Sequence, residues 1–174
     1  MRDKGIGLLT SVKTSTYYMG FNLLDPVVGG LSPRSTRLRQ AISIAIDQEE
    51  YISIFSNGRG IAAQGPLPPG IFGYEDGEQG IDGAVYDWVD GKPQRKPVEV
   101  ARKLMIEAGY PNGRDEKTGE PLVLYLETTG GGMGEKSRLD WLTRQFAKVD
   151  IQLVVRSTDF TQDEYTRASP SMFE

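Results

Sequence analysis

The feature that most constrains the fold is a pair of consecutive helices with clearly marked ends. Ser32 followed by Pro33 marks a helix start, because the serine oxygen can accept from a free backbone N–H and proline has none to satisfy. Asp47 and Glu50 form a capping box that begins the second helix, and Gly58 ends it in a left-handed conformation. Between these marks, apolar residues recur with the period of core-facing helices, at Leu38, Ala41, Ile42, Ala45, Ile46, Tyr51, Ile52 and Phe55.

Two apolar segments flank this pair. Residues 16–23 are β-branched and aromatic, which predicts a strand with one core face and a second face carrying Tyr18 and Asn22 beside Gly20. The second face is a candidate ligand surface; the alternative is that Tyr18 packs under a loop. Residues 65–74 contain three prolines and predict an ordered, non-helical wall. We expect its apolar side chains to be covered, namely Leu67, Ile71, Phe72 and Tyr74.

The second half alternates helices and strands. A helix precedes Gly109, a strand covers 122–128, a helix covers 135–148 and a strand covers 151–157. A strand, a helix and a strand in succession predict a right-handed βαβ unit with parallel strands. The fold class is therefore α/β, a mixed sheet flanked by helices. We expect residues 1–174 to form a single lobe, with 58–92 as an ordered Gly/Pro-rich connector, and the capping box at Thr161 and Glu164 to begin a further helix.

Composition excludes several classes of function. The chain has 174 residues, enough to bury about 70% of its unfolded surface, and no Cys and no His. Thiolate nucleophiles, Cys-based zinc sites and Ser-His-Asp hydrolysis are therefore excluded, and no cofactor or metal is indicated. A net charge of −4 argues against a nucleic-acid partner. We therefore expect Arg34, Arg37 and Arg39 to form a solvated or salt-bridged face rather than a phosphate-binding patch.

Residues 130–137, GGGMGEKS, nearly match the phosphate-binding loop of nucleotide-binding enzymes. The sixth position carries Glu135 where the motif requires glycine, and a carboxylate there would repel a phosphate. Asp159 and Asp163 could form an acid–base pair, but helix capping explains them better. We therefore expect a strand-to-helix turn, and a protein that is not an enzyme.

The order and spacing of these segments resemble family 5 of the bacterial extracytoplasmic solute-binding proteins, of the dipeptide and oligopeptide type. The resemblance covers the block 16–74, the segment 101–113 that ends EAGYPNG, the strand-loop-helix 122–149 and the segment 151–160. It implies one lobe of a two-lobed periplasmic-binding-protein-like fold (type II, peptide-binding class), here an incomplete C-terminal lobe. A first lobe with its leader should precede Met1, and the acidic anchor for the peptide amine should follow Glu174.

The resemblance also implies a site. Phe160 takes the place where the family often has a Trp against the ligand, and Arg167 a place where some members use a basic residue. The alternatives are a core role for Phe160 and a solvated cation for Arg167, the latter being favoured. Thr128 and Thr129 lie at the strand end where the cleft should open. With Tyr18 and Asn22, these are the expected ligand-binding residues.

The implied function is capture of peptides or peptide-like solutes for an ABC importer. The implied partners are the solute and the permease subunits, with no nucleic acid and a monomeric protein. The implied location is the periplasm, or the outer face of the cell membrane through a lipid anchor. The alternatives are a sensing or interaction domain without transport, and nucleotide binding through residues 130–137.

Overall fold

The computed structural model describes residues 11–128 and 134–157. They form helices and strands in this order: α1 (Pro33–Ala45), α2 (Gln48–Ser56), β1 (Tyr86–Val89), β2 (Lys92–Arg95), α3 (Val98–Glu107), β3 (Val123–Thr128), α4 (Glu135–Ala147) and β4 (Gln152–Ser157). Short 3-10 helices lie at Gly77–Gly80 and Pro111–Gly113. Within the described ranges, no helix has the length and apolar character needed to cross a bilayer. The predicted α/β class is confirmed.

Helix α1 begins where the sequence predicts. The Ser35 N–H donates to Ser32 Oγ at 3.1 Å, and Pro33 occupies the first turn. The helix packs on α3 at the centre of the core, where Leu38 and Ala101 are fully buried. The predicted face of ion-paired arginines is also found: Arg34 Nη2 lies 2.6 Å from Asp115 Oδ2, and Arg37 Nε lies 2.8 Å from Glu107 Oε2.

Helix α2 also begins as predicted, since the Glu50 N–H donates to Asp47 Oδ1 at 2.8 Å. A buried glutamine of α4 completes this cap. The Gln145 side chain accepts from the Asp47 N–H at 3.3 Å and donates to Glu50 Oε2 at 3.0 Å. Gln145 thus stands between the two partners of the capping box and links α4 to the start of α2. The helix ends at Ser56, and Asn57 as well as Gly58 is left-handed.

Strands β1 and β2 form an antiparallel hairpin that begins inside the predicted connector and extends past its end, and sequence analysis missed it. Its two-residue loop is Asp90–Gly91, with φ of 50° and 77°. Two positive φ values are what a type I′ turn requires, and Asp-Gly is its preferred sequence. That dipeptide was the available signal for the hairpin.

Arg95, the last residue of β2, fastens the hairpin to the helix pair. Its Nε donates to Glu49 Oε2 at 2.7 Å, its Nη2 to the Tyr86 hydroxyl at 2.7 Å and its Nη1 to the Ile46 carbonyl at 2.8 Å. The Tyr86 hydroxyl donates to Glu49 Oε1 at 2.7 Å, which closes a ring of three side chains. A cation beside the carboxyl end of α1 also stabilises the carbonyl groups left free there.

Strands β3 and β4 are parallel, as predicted, with Leu124 opposite Leu153 and Glu127 opposite Arg156. Leu124 is buried in the core, on the face that includes the half-buried Leu126 and Leu153. The other face carries Tyr125 and Val154, which are exposed. The described residues therefore cover this two-stranded sheet on one side.

The register of the parallel pair is fixed where the strands begin. The Leu122 N–H donates to the Gly113 carbonyl at 2.7 Å, and the Gln152 N–H donates to the Leu122 carbonyl at 3.0 Å. Gly113 has φ of 66°, and a Cβ there would lie 1.9 Å from the Asp150 carbonyl oxygen. Only glycine allows this approach.

The predicted strand at residues 16–23 is not formed in the structure. These residues have no ladder partner among the described residues, and the expected core face is largely in solvent. Tyr17 is 95% exposed and Leu23 is also exposed, while Phe21 alone of that face packs on the core. Strand propensity is present, but a strand needs a partner to form hydrogen bonds.

Residues 65–74 are non-helical, as predicted, but their expected cover is absent. Phe72 is fully exposed, Leu67 and Ile71 are exposed, and Tyr74 is half-buried. The prediction of a covered wall was therefore wrong for three of the four apolar side chains, because no described element lies over them.

Shifted pKa values occur around Arg95, at Glu49 and Tyr86, and in the Arg34–Asp115 ion pair. Burial raises the pKa of Glu49, but hydrogen bonds from Tyr86 and Arg95 outweigh burial and hold the pKa below its ordinary value. Burial and the hydrogen bond to Glu49 raise the pKa of Tyr86. The hydrogen bond from Arg34 holds the pKa of Asp115 low. Both carboxylates are therefore favoured in the charged form by the fold.

We expect Tyr86→Phe to lower the free energy of unfolding by about 1–2 kcal/mol, because Glu49 and Arg95 each lose a buried hydrogen-bond partner. Urea denaturation measures this. Tyr125→Phe is the matched control, since its ring is exposed and its hydroxyl makes no hydrogen bond within the described residues. We expect it to change stability by less than about 0.5 kcal/mol. Equal losses of unfolding free energy in the two variants would contradict a stabilising role for the hydrogen bonds among Glu49, Tyr86 and Arg95.

Acid should weaken the fold through Glu49. Because its folded pKa is depressed, its stabilising contribution is present above the unfolded value of about 4.3 and is lost as pH falls through the folded pKa. We expect Glu49→Gln to be less stable than the wild type at pH 7 and to approach it below about pH 4. Urea midpoints between pH 3 and 7 test this, with the exposed Glu120→Gln as control. A stability gap that stays constant down to pH 3 contradicts the prediction.

Candidate functional site

The carboxyl ends of β3 and β4 lie side by side, with Thr128 opposite Ser157. In α/β sheets, ligands bind outside the carboxyl ends of the strands. The Thr128 hydroxyl donates to Glu135 Oε1 at 3.2 Å, so it is tied to the first turn of α4. Thr128 is half-buried and lies where the sequence predicts a strand end.

An exposed charged pair precedes these ends on the uncovered face of the sheet. Arg156 Nη1 lies 3.5 Å from Glu127 Oε1, and the Arg156 guanidinium stacks on the Tyr125 ring at 3.8 Å from its centroid. A peptide ends in an ammonium group and a carboxylate. The guanidinium of Arg156 can donate to such a carboxylate, and the carboxylate of Glu127 can accept from such an ammonium group. Sequence reasoning missed this trio; the period-two alternation of both strands was the available signal.

Tyr18 and Asn22 lie on the segment that precedes α1. Tyr18 is 89% exposed, so the alternative that it packs beneath a loop is wrong. Asn22 is exposed, and its Oδ1 accepts from the Leu24 N–H at 3.0 Å, which makes it part of a local turn. No hydrogen bond, ion pair or ring contact between described residues joins either side chain to Thr128.

Three of the expected ligand-binding residues, Thr129, Phe160 and Arg167, lie outside the described residues, as does the helix predicted from Thr161. The first residues of the phosphate-loop-like segment lie outside them as well. Its end is described: Gly134 is the N-cap of α4 with φ of 97°, and Glu135 stands in the first turn. A carboxylate at that point disfavours a bound phosphate.

A cavity of about 310 Å³ lies between the end of α1, β2 and the start of α3. Its charged lining comprises Asp47, Arg95, Lys96 and Lys148. Each of these already has a protein partner: Lys96 donates to the Gly83 carbonyl, and Lys148 lies 3.6 Å from Glu50. The cavity therefore offers a solute no uncommitted charge. No group of three or more acidic side chains placed to hold a metal ion occurs within residues 11–128 and 134–157.

Residues 2–173 match the family model described as bacterial extracellular solute-binding proteins, family 5, middle portion. The match covers nearly the whole chain. The chain belongs to this family. Its members are binding proteins rather than enzymes.

Two curated relatives carry solute names. The chain is 32% identical over 140 residues to a heme-binding protein A of Haemophilus influenzae, covering 80% of the chain and 22% of the relative. It is 25% identical over 152 residues to a dipeptide-binding protein of Escherichia coli, covering 87% of the chain and 24% of the relative. The family 5 chain thus spans less than a quarter of the length of these relatives.

The fold is similar to that of a solved structure. The oligopeptide-binding protein AppA from Bacillus subtilis, in complex with a nonapeptide, superposes with a TM-score of 0.60 at 21% identity. The superposition covers 80% of this chain and 25% of that one. The two chains therefore share a fold over this portion.

Proposed function

We propose that this chain is part of the solute-binding component of an ABC importer, and that the whole protein captures peptides or peptide-like solutes. The match of residues 2–173 to the family model carries this proposal. The dipeptide-binding relative supports the solute class. Capture is non-covalent in this proposal, and permease subunits receive the loaded protein outside the cytoplasm, in the periplasm or on the outer face of the membrane.

The geometry supports a solute site at the carboxyl ends of β3 and β4. Thr128 lies there, and Arg156 and Glu127, which pair with each other at 3.5 Å, are both exposed to a solute one residue before the strand ends. Thr129, Phe160 and Arg167 belong to the proposed site by their place after these strands in the sequence. Tyr18 and Asn22 are proposed as contacts from the segment before α1.

Binding should require the longer protein. We expect the 174-residue chain to bind di- to pentapeptides weakly or not at all, because most of the length of its relatives is absent from it. Isothermal titration calorimetry of this chain and of the longer protein, with the same peptide pool, tests the difference. Micromolar binding by the 174-residue chain alone contradicts the partial-site proposal, and absence of binding by the longer protein contradicts the solute class.

Hemin is a second ligand to test on the longer protein, because one relative is a heme-binding protein. Hemin that binds the longer protein would change its Soret absorption, and Tyr is a known iron ligand that these 174 residues could supply, since they contain no His and no Cys. We expect peptides to bind and the hemin spectrum to stay that of free hemin. A saturable Soret shift without peptide binding would replace the peptide assignment.

In the longer protein, we expect Phe160→Ala to weaken peptide binding by about 1–3 kcal/mol, because an aromatic side chain against a ligand is a typical hot spot. Ile54→Ala, at an exposed site on α2, is the control and should leave affinity unchanged. Calorimetry gives both dissociation constants. If Phe160→Ala leaves the affinity for peptide unchanged, and the Phe160→Ala and Ile54→Ala variants are both folded, Phe160 is a core residue.

The alternative is sensing without transport. Deletion of the gene separates the two roles: loss of peptide uptake by the cells supports import, whereas normal uptake with peptide binding intact supports sensing. Nucleotide binding through residues 130–137 has less support, because Glu135 stands where the motif requires glycine.

A further inference from the structure

The hydroxyl of Thr128 is oriented by a carboxylate at the start of α4. Thr128 is the last residue of β3, and its Oγ1 donates to Glu135 Oε1 at 3.2 Å. Both residues are half-buried. An ionised carboxylate can only accept hydrogen bonds, so the proton in this contact is the hydroxyl proton of Thr128. The chemistry of the two partners therefore fixes the direction of the hydrogen bond.

That direction limits what Thr128 can bind. A threonine hydroxyl has one proton and two lone pairs. Because Glu135 takes the proton, Thr128 Oγ1 can meet any further partner only as an acceptor. A carboxylate or phosphate of a solute also brings only acceptors, which do not match. An N–H or ammonium group of a solute does match, and the ammonium forms the stronger, charge-assisted hydrogen bond.

The charges at the start of α4 favour an ammonium over a neutral N–H. Glu135 stands in the first turn of the helix, where its own carboxylate offsets the positive end of the helix dipole. Two cations of the same helix are engaged elsewhere. Lys136 Nζ lies 2.9 Å from Asp140 Oδ2, and the Arg138 guanidinium lies over an aromatic ring of α2 at 6.0 Å from its centroid. The charged group joined to Thr128 is thus a carboxylate.

We propose that Thr128 and Glu135 select the terminal ammonium group of a peptide-like solute, which binds at the α4 side of the carboxyl end of β3. Thr128 accepts from the ammonium and is a specificity-determining residue. Glu135 is a positioning residue, because it turns the hydroxyl so that only lone pairs face the solute, and its charge attracts the ammonium. The assignment of these two roles rests on the proposed function, which places the solute site at these strand ends.

Three alanine peptides, measured by calorimetry on the longer protein, separate the two ends of the solute. Trialanine has both termini, propionyl-dialanine lacks the amine, and trialanine amide lacks the terminal carboxylate. We expect propionyl-dialanine to bind the wild type at least about 10-fold more weakly than trialanine, since a charge-assisted hydrogen bond is lost. Equal affinity of these two peptides overturns the inference.

Thr128→Val removes the acceptor and keeps the shape of the side chain. We expect it to weaken trialanine and trialanine amide at least about 10-fold each, and propionyl-dialanine less than about 2-fold, because the last peptide has no ammonium to lose. Thr128→Ser keeps the oxygen and should retain most of the affinity. The matched control is Thr143→Val on the exposed face of α4, where the hydroxyl donates to the Leu139 carbonyl at 2.9 Å. We expect the control to leave all three affinities unchanged.

Glu135→Gln tests the positioning role without touching Thr128. We expect it to reduce the preference for trialanine over propionyl-dialanine, because the charge is lost and an amide can also donate to the hydroxyl. Asp140→Asn, which removes an exposed carboxylate from the same helix, should leave this preference unchanged. If Thr128→Val does not fold, as judged by its melting temperature, the preference measured with Glu135→Gln decides.

An equal loss of affinity for trialanine and propionyl-dialanine in Thr128→Val overturns the inference, because a packing defect does not distinguish a peptide with an amine from one without. A loss for trialanine but not for trialanine amide assigns Thr128 to the carboxylate end and overturns it as well. Both results leave the proposed function standing, since peptides still bind the wild type. Absence of binding by the whole di- to pentapeptide pool overturns the proposed function and this inference with it.

Discussion

The arrangement around Arg95 holds the helix pair and the hairpin in one piece. The Arg95 guanidinium donates to Glu49 of α2, to the Tyr86 hydroxyl of β1 and to the Ile46 carbonyl after α1. Removing one partner leaves charged groups with unmet hydrogen bonds in a partly buried place, which costs more than the bond itself contributes. The positions of α1, α2 and the hairpin therefore depend on one another. The buried Gln145 adds α4 to the same arrangement.

Helix ends and the parallel pair could be predicted because their signals are local. Ser32 and Asp47 accept from N–H groups three residues away, and the alternation of strands and helices fixes the order of β3, α4 and β4. The hairpin was missed although Asp90-Gly91 is an equally local signal. Its second strand is polar throughout and contains Pro93, so it lacks the apolar alternation expected of a strand.

The burial of apolar side chains and the pairing of charged ones could not be predicted in the same way, because both depend on residues distant in the sequence. Apolar rings such as Tyr17 and Phe72 favour burial, but whether they are covered depends on residues distant in the sequence, and both are exposed among the described residues. Of the candidate site, Thr128 was predicted at a strand end and is found there. Arg156 and Glu127 meet only because the register places them opposite each other, which no single segment reveals.

The approach of Gly113 to Asp150 bears on which substitutions the parallel strand pair can tolerate. Hydrogen bonds at Leu122 and Gln152 align β3 and β4 at their amino ends, so the alignment does not rely on the side chains at the opposite ends. Substitutions around Thr128 should therefore leave the register of the two strands unchanged. The amino ends of the strands hold the alignment, and the side chains at the carboxyl ends are not needed for it.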